Sequence, residues 1–242
     1  MLEGLKRWFS APPASAARWR ELSPWAESRH CVFRGVREGD GFVIDGRLGA
    51  LPWRLEWGPS QRSYVPGSEL RMRAELGVQS DLQLLVLDRA LQEQMERSVF
   101  DQYVEGVQTR IDQQTPPEMR WLVMFQKLAG AEMGALRERY VALASIKPWL
   151  TQWLQGPLSA ALASTRLPPA TPFVLMISRG RLTLRTALPE PEARDLERWV
   201  QLFETAMREA RRVANQSPEA GVASTQPSLW SASEMAPGDG PK

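Results

Sequence analysis

The sequence predicts an α+β fold, an antiparallel sheet of about six to eight strands covered on one side by three or four helices. Short apolar runs, each bounded by turn residues, follow one another from residue 31 to residue 88. Two more runs, PFVLMIS and RLTLRTAL, flank Arg179-Gly180 as a hairpin. A long apolar stripe at helical spacing then occupies about residues 190–214. Short connections between the runs favour antiparallel pairing.

The chain divides into three parts by composition. Residues 1–30 are predicted to form an N-terminal helical segment and linker, and residues 31–215 a single α+β domain. Residues 216–242 are rich in Ser, Pro, Gly and Ala, so we expect a disordered C-terminal tail. In the first part, Leu2, Leu5, Trp8 and Phe9 share one helical face. Ser23-Pro24 is typical of the start of a second helix.

The early strands alternate between an apolar and a polar face. Trp53, Leu55 and Trp57 share one face of the third run, and Arg54 and Glu56 share the other. The fourth run, ELRMRAELG, alternates in the same way. Period-two alternation is typical of a sheet with one buried face and one wet face. The run at 82–87 is apolar on both faces, which predicts a central strand.

The second half mixes helices with strands. A helix is predicted over 89–99, a strand over 103–111, and a helix from the capping-box pattern at 115–118 to about Leu128. Met119, Leu122 and Val123 are expected on its buried side. Residues 136–145 fit a strand or a helix, and we favour a strand.

Two more helices complete the predicted fold. Pro148 opens a helix to about Ala163, which Gly156-Pro157 should interrupt. The long helix at 190–214 should lie across the sheet, because its apolar stripe is too wide to be exposed to solvent. That stripe contains Leu196, Trp199, Val200, Phe203 and Met207.

Composition excludes several classes of protein. The chain has 242 residues, of which 43% are hydrophobic and 24% charged, as in globular proteins. No run approaches the roughly 18 apolar residues of a membrane helix. The first residues lack the apolar run of a secretory signal, so we expect a cytoplasmic protein. Net charge is +2, which does not favour a nucleic-acid partner. Arginine greatly outnumbers lysine, as expected from a G- and C-rich bacterial-like genome.

The usual catalytic and cofactor motifs are missing from the sequence. His30 and Cys31 are the single histidine and the single cysteine, too few for a Cys/His zinc site. Adjacent residues that enter a strand point to opposite faces, which argues against a Cys-His dyad. No phosphate-binding loop or dinucleotide fingerprint is present. Carboxylates alone could hold Mg²⁺ or Ca²⁺, but no segment resembles an EF-hand loop. We therefore predict no metal and no cofactor.

One segment, residues 51–75, combines aromatic residues with arginines. A sheet face lined with arginines could bind an anion or a protein partner. Alternatively, the carboxylates between these arginines could neutralise their charge by forming cross-strand salt bridges. Salt bridges are the favoured interpretation. The candidate binding residues are Arg54, Glu56, Arg62, Tyr64, Arg71 and Arg73.

Two terminal segments are candidates for docking to a protein partner. Trp8 and Phe9 lie beside Lys6 and Arg7 in the predicted amphipathic N-terminal helix. This helix could pack on its own domain or dock in another protein's groove. It could also contact a membrane surface through residues 2–9. Packing on its own domain is favoured. Leu229 and Trp230 form an apolar island in the C-terminal tail.

The leading functional hypothesis is a cytosolic, non-enzymatic binding or assembly protein. It depends on the missing motifs and on an abundance of tryptophan and arginine, which are common in binding hot spots. The alternative hypothesis is a hydrolase or transferase that uses carboxylates and arginines on a phosphorylated or glycan substrate. A deep pocket with converging carboxylates would favour the enzyme.

Overall fold

The computed structural model describes residues 19–36, 40–104, 116–165 and 167–216. Within these ranges the chain forms an eight-stranded antiparallel sheet with helices against both faces, which confirms the predicted α+β class. The strand order across the sheet is β1-β2-β3-β4-β8-β7-β5-β6. The strands are β1 (Val32–Gly35), β2 (Phe42–Leu48), β3 (Leu51–Pro59), β4 (Ser68–Glu75), β5 (Leu84–Asp88), β6 (Tyr140–Ala144), β7 (Phe173–Ser178) and β8 (Arg181–Ala187).

Seven α-helices are present in the described part of the chain, together with a 3-10 helix over Gly134–Glu138. They are α1 (Leu22–Ser28), α2 (Arg89–Val104), α3 (Pro117–Met124), α4 (Gly130–Met133), α5 (Lys147–Trp153), α6 (Pro157–Ser164) and α7 (Ala193–Gln216). None of the described helices combines the length and the apolar composition needed to cross a membrane.

One face of the sheet carries the main core. Its strand side chains include Phe42, Leu55, Met72 and Leu184, and it is covered by α1, α5, α6 and α7. The predicted stripe of α7 is buried there. The stripe residues Leu196, Trp199, Val200, Phe203 and Met207 are each at most 4% exposed. Burial of this stripe holds α7 across the sheet.

The opposite face is divided into two halves. Helices α2 and α3 cover β5, β6 and β7, with Trp121 and Leu122 packed over Leu85 and Leu87. On β2, β3 and β4 this face carries the charged residues of the alternating pattern. The prediction of β5 as a central strand is confirmed, because β5 lies between β6 and β7 and is buried on both faces.

Two predicted connections are also confirmed. Arg179 and Gly180 both have positive φ, 52° and 73°, as the tight hairpin between β7 and β8 requires. Helices α5 and α6 are separated at Gly156, whose φ of 66° suits glycine. In the ambiguous segment 136–145, residues 140–144 form strand β6 as favoured, whereas residues 136–138 belong to the 3-10 helix and the strand prediction is wrong there.

Several predicted boundaries are wrong. Helix α2 runs to Val104, so the first two residues of the strand predicted at 103–111 are helical, and the remainder lies outside the described residues. Ser23 lies inside α1, which begins at Leu22. For α1 the reason is the burial of Leu22, which is 2% exposed and packs into the main core one residue before Ser23.

Helix α3 also departs from its prediction. It ends at Met124, about four residues early, and its buried face is rotated. Val123 is 60% exposed, while Glu118, predicted as a capping residue, is fully buried. The tertiary partners of Glu118 select this face.

Predictions for the two ends lie outside the described residues. These are the helix at residues 2–9, with Trp8 and Phe9, and the tail with Leu229 and Trp230. The described chain begins at Trp19, which is 4% exposed and packs into the main core. The division at residues 30 and 216 remains a prediction.

Candidate functional site

The predicted arginine-lined face lies on β3 and β4, where cross-strand register places Glu56 opposite Arg71 and Arg54 opposite Arg73. Glu56 binds two arginines at once. Arg71 Nε donates to Glu56 Oε2 at 3.1 Å, and Arg73 Nη2 donates to Glu56 Oε1 at 2.7 Å. Three of the six candidate residues are thus brought together by side-chain hydrogen bonds.

Arg54 belongs to a separate pair of contacts on the same face. Its Nε donates to Asp45 Oδ1 on β2 at 2.6 Å, and this hydrogen bond raises the pKa of Arg54 above its ordinary value. Arg34 of β1 also pairs with Asp45. Asp45 was not among the candidates, although its place in the alternation of β2 assigns it to this face.

Arg62 and Tyr64 lie in the loop between β3 and β4 and reach a different partner, Glu118 at the start of α3. The Tyr64 hydroxyl donates to Glu118 Oε1 at 2.6 Å, and Arg62 Nε donates to the same oxygen at 3.1 Å. Burial raises the pKa of Tyr64, and the nearby Glu118 charge raises it further. No local pattern indicates a role for Glu118 beyond its capping position, because its partners are more than 50 residues away.

A buried ion pair joins the sheet face to these loops. Arg185 Nη1 on β8 donates to Glu69 Oε1 on β4 at 2.5 Å, and both side chains are at most 10% exposed. The backbone N–H of Gln61 donates to Glu69 Oε2 at 2.9 Å. Arg71 Nη1 lies 3.7 Å from the same oxygen. Arginine and carboxylate side chains therefore alternate through space in one network of contacts, which contains Arg73, Glu56, Arg71, Glu69 and Arg185.

All four candidate arginines pair with carboxylates. A small cleft of about 220 Å³ beside them is lined by Glu56, Glu69 and Arg71, next to the glycines Gly41 and Gly58. An incoming anion would have to compete with the carboxylates that already hold these arginines. The binding role of the six residues remains a prediction.

A much larger cleft, of about 620 Å³, opens on the other side of the sheet between α6 and α7. Its floor includes Trp199, which is 4% exposed and stacks on Phe173 with ring centroids 6.0 Å apart. The α6 wall carries Ala161, Ser164 and Thr165, and the α7 wall carries Asp195, Arg198, Gln201, Leu202 and Thr205. The end walls are Pro66, Leu167, Pro168, Ala170, Thr171, Pro172, Ala187, Leu188 and Pro189. We call this space the α6–α7 cleft.

The lining of the α6–α7 cleft is mainly apolar, with polar groups at its rim. Four prolines contribute to the walls, and proline has a fixed φ and no backbone N–H. Arg198 pairs with Asp195 at the rim, with their side chains 58% and 14% exposed. This arrangement can bury an apolar side chain and offer hydrogen bonds at its edge.

Sequence reasoning missed this cleft because its walls come from residues 66 to 205, on elements distant in the chain. Trp199 was predicted as a core residue, which is correct, but nothing in the local pattern indicates that a cleft lies beside it between α6 and α7. The repeated prolines at 168, 169 and 172 were a signal for a stiff loop.

Cys31 and His30 form no functional pair among the described contacts. Cys31 is 8% exposed, its Sγ lies 3.5 Å from the carbonyl oxygen of Arg29, and burial raises the pKa of its thiol. A raised pKa keeps a thiol protonated and unreactive. In the described ranges, no three His, Cys, Asp or Glu side chains are grouped to hold a metal ion.

No protein-family model matches this chain, and no curated protein matches it in sequence. It is similar in structure to the mycobacterial trehalose monomycolate transport factor A, TtfA, whose crystal structure aligns with 10% sequence identity. The alignment covers 81% of this chain and 93% of that chain, with a TM-score of 0.43. A likeness at this distance carries no conclusion about function.

Proposed function

We propose that this chain is a cytoplasmic, non-enzymatic binding protein that holds an apolar segment of a protein partner in the α6–α7 cleft. The observation that carries the proposal is the cleft itself, about 620 Å³ of mainly apolar lining beside a buried tryptophan. Sites that bury most of a ligand have volumes of about 300–1,000 Å³ and the same mixture of apolar walls and few polar groups.

The composition of the cleft suits a peptide segment. Protein interfaces concentrate their energy in aromatic or aliphatic anchors that enter a desolvated pocket with a polar rim. Here the floor is Trp199, and Arg198, Gln201 and Thr205 supply the rim. Arg198 pairs with Asp195 and Gln201 Nε2 donates to Glu197. Both side chains are exposed, so a bound segment would use the other guanidinium N–H groups of Arg198 and the amide oxygen of Gln201.

Binding is favoured over catalysis by the state of the carboxylates. A general acid or base must be within hydrogen-bond reach of the substrate proton it moves. Glu56, Glu69 and Glu118 each bind at least one arginine. No observation on the described residues favours the hydrolase or transferase hypothesis, so it is not carried further.

A peptide selection with two matched variants tests the proposal. Ala161 lines the cleft, whereas its neighbour Ala160 is exposed on the same helix and does not. A library of 12-residue peptides is selected on the full chain, and the dissociation constants of the winners are measured on the full chain, on Ala161→Trp and on Ala160→Trp.

We expect peptides with an aromatic or leucine anchor whose affinity falls about ten-fold or more in Ala161→Trp, because loss of one well-buried anchor contact costs more than about 1.4 kcal/mol. Ala160→Trp should bind like the parent chain. Equal binding by Ala161→Trp and Ala160→Trp would contradict the proposal. Circular dichroism and melting temperature establish that both variants fold.

A further inference from the structure

We propose that the chain's own N-terminal segment, residues 2–9, occupies the α6–α7 cleft, with Trp8 and Phe9 as the buried anchors. A protein partner would then have to displace it. This inference rests on the proposed function, because it names the resident competitor at the same site.

The described chain begins next to the cleft. The Trp19 ring lies against Trp57, with centroids 4.7 Å apart, and Trp57 Nε1 donates to the carbonyl oxygen of Leu188 at 2.7 Å. Leu188 is part of the cleft wall. The N-terminal segment therefore joins the fold about one tryptophan side chain away from that wall.

Helix α1, which follows Trp19, lies against α7. Trp25 and Arg29 of α1 bind Glu197 on one flank of α7, while α6 packs on the other flank. A helix with its side chains is about 10–12 Å across. Residues 10–18 can span up to about 30 Å when extended, at about 3.3–3.6 Å per residue. The linker is long enough to cross the start of α7 and bring Trp8 and Phe9 into the cleft.

The side chains of the segment match the cleft. Leu2, Leu5, Trp8 and Phe9 fall on one face of a helix, which is the pattern of a helix that docks in an apolar groove. A buried aromatic side chain removes about 150–250 Å² of surface from water, so two such anchors would stabilise the docked segment strongly.

The C-terminal tail fits the cleft less well. It leaves the fold at Gln216, which is 11 residues, or about 16 Å of helix, beyond Thr205 at the nearer end of the cleft. Its apolar island has two residues, Leu229 and Trp230, compared with four in the N-terminal segment. A tethered segment has an effective concentration in the millimolar range when its linker matches the distance, so the nearer segment is favoured.

A photo-cross-link tests the docking directly. Phe9 of the full chain is replaced by the photoreactive phenylalanine analogue p-benzoylphenylalanine, the purified protein is irradiated, and cross-linked peptides are mapped by mass spectrometry. The same replacement at Trp230 reports on the tail. We expect the Phe9 probe to cross-link to residues 161–172 or 195–205 of the same chain. The yield of this cross-link should fall at least about five-fold in Ala161→Trp but should not change in Ala160→Trp.

Three outcomes would overturn the inference. These are Phe9 cross-links confined to parts of the chain outside the cleft, cleft cross-links from the Trp230 probe instead, and cross-links to the cleft that join two chains, which would assign the segment to a second copy.

The displacement step has its own measurement. The double variant Trp8→Ser/Phe9→Ser should bind the selected peptides about ten-fold more tightly than the parent chain if the segment fills the cleft about 90% of the time. Leu229→Ser/Trp230→Ser is the matched control and should leave the affinity unchanged. Peptides that bind the parent chain and the Trp8→Ser/Phe9→Ser variant equally would overturn the inference and leave the proposed function standing. A cross-link from Phe9 to the cleft, together with no peptide binding by the Trp8→Ser/Phe9→Ser variant, would overturn the proposed function and leave the docking of the N-terminal segment standing.

Discussion

The hydroxyl of Tyr64 donates a 2.6 Å hydrogen bond to Glu118 Oε1 and so ties the β3–β4 loop to α3, 54 residues later in the chain. Glu118 is 0% exposed, and Arg62 is its other donor. A buried carboxylate requires such partners, since an unpaired buried charge is costly. The side chains of Arg62, Tyr64 and Glu118 thus join the β3–β4 loop to the start of α3 through one hydrogen-bonded cluster.

Tyr64→Phe should lower the free energy of unfolding by about 1–3 kcal/mol, because it removes one donor from a buried carboxylate. Urea denaturation measures the change. Tyr140→Phe is the matched control, because the Tyr140 hydroxyl makes a longer, 3.3 Å bond to the carbonyl oxygen of Leu162 and its loss should cost less. Equal losses in the two variants would contradict a special role for the Tyr64–Glu118 bond.

Stability should fall as the pH rises above about 10. Burial raises the pKa of Tyr64 and raises that of Tyr140 to about 12, from an ordinary value of 10.0. Above pH 10 the unfolded chain loses these protons first, so each tyrosine stabilises the fold fully below pH 10. For Tyr140 that contribution is lost between pH 10 and about 12.

Denaturation at several alkaline pH values measures this slope, at most about 1.4 kcal/mol per pH unit for each tyrosine. Tyr64→Phe should have a clearly smaller slope than the parent chain. Cys31, whose pKa burial also raises, is present in both proteins and affects both slopes alike. An unchanged slope in Tyr64→Phe would show that Tyr64 ionises normally in the fold.

Glu69→Gln should destabilise the fold by about 3–5 kcal/mol, because it leaves Arg185 buried without its ion-pair partner. The same substitution at Glu75, on the same strand, is the matched control. Glu75 pairs with Arg181, but both side chains are more than half exposed, so Glu75→Gln should cost less than about 1 kcal/mol. Similar losses at the two positions would mean that burial does not set the value of the Glu69–Arg185 pair.

Trp199→Ala should destabilise the fold by about 3–5 kcal/mol, since Trp199 is 4% exposed and stacked on Phe173. Trp25→Ala, at a partly buried tryptophan that bonds Glu197, should cost less. Guanidinium denaturation distinguishes the two. A neutral Trp199→Ala would mean that the stripe of α7 contributes little to folding, contrary to its burial.

Local sequence patterns predicted much of the sheet. Alternation on β3 and β4 gave the correct faces because a strand's period of two depends only on neighbouring residues. The hairpin at Arg179-Gly180 followed from turn chemistry in the same way. The stripe of α7 was predicted for the same reason, since its 24 residues give many repeats of the helical period.

Features that depend on distant contacts could not be predicted in this way. Glu118 is buried because Tyr64 and Arg62 bind it, and no local pattern connects these residues. The second helical layer of α2 and α3 was missed, although the run at 82–87 is apolar on both faces and therefore indicates a cover on each face. The α6–α7 cleft depends on the space between two helices, which follows from packing across the whole core.

A methyl NMR titration of the full chain with its best selected peptide tests the α6–α7 cleft as the binding site. We predict the largest chemical-shift changes at Leu202, Ala161 and Leu167 in the α6–α7 cleft, with little change at Val43 on the charged sheet face. The same titration of Ala161→Trp should show these changes much reduced. Changes centred on Val43, with the cleft methyl groups unmoved, would contradict the cleft as the binding site and point to the arginine-bearing strands instead.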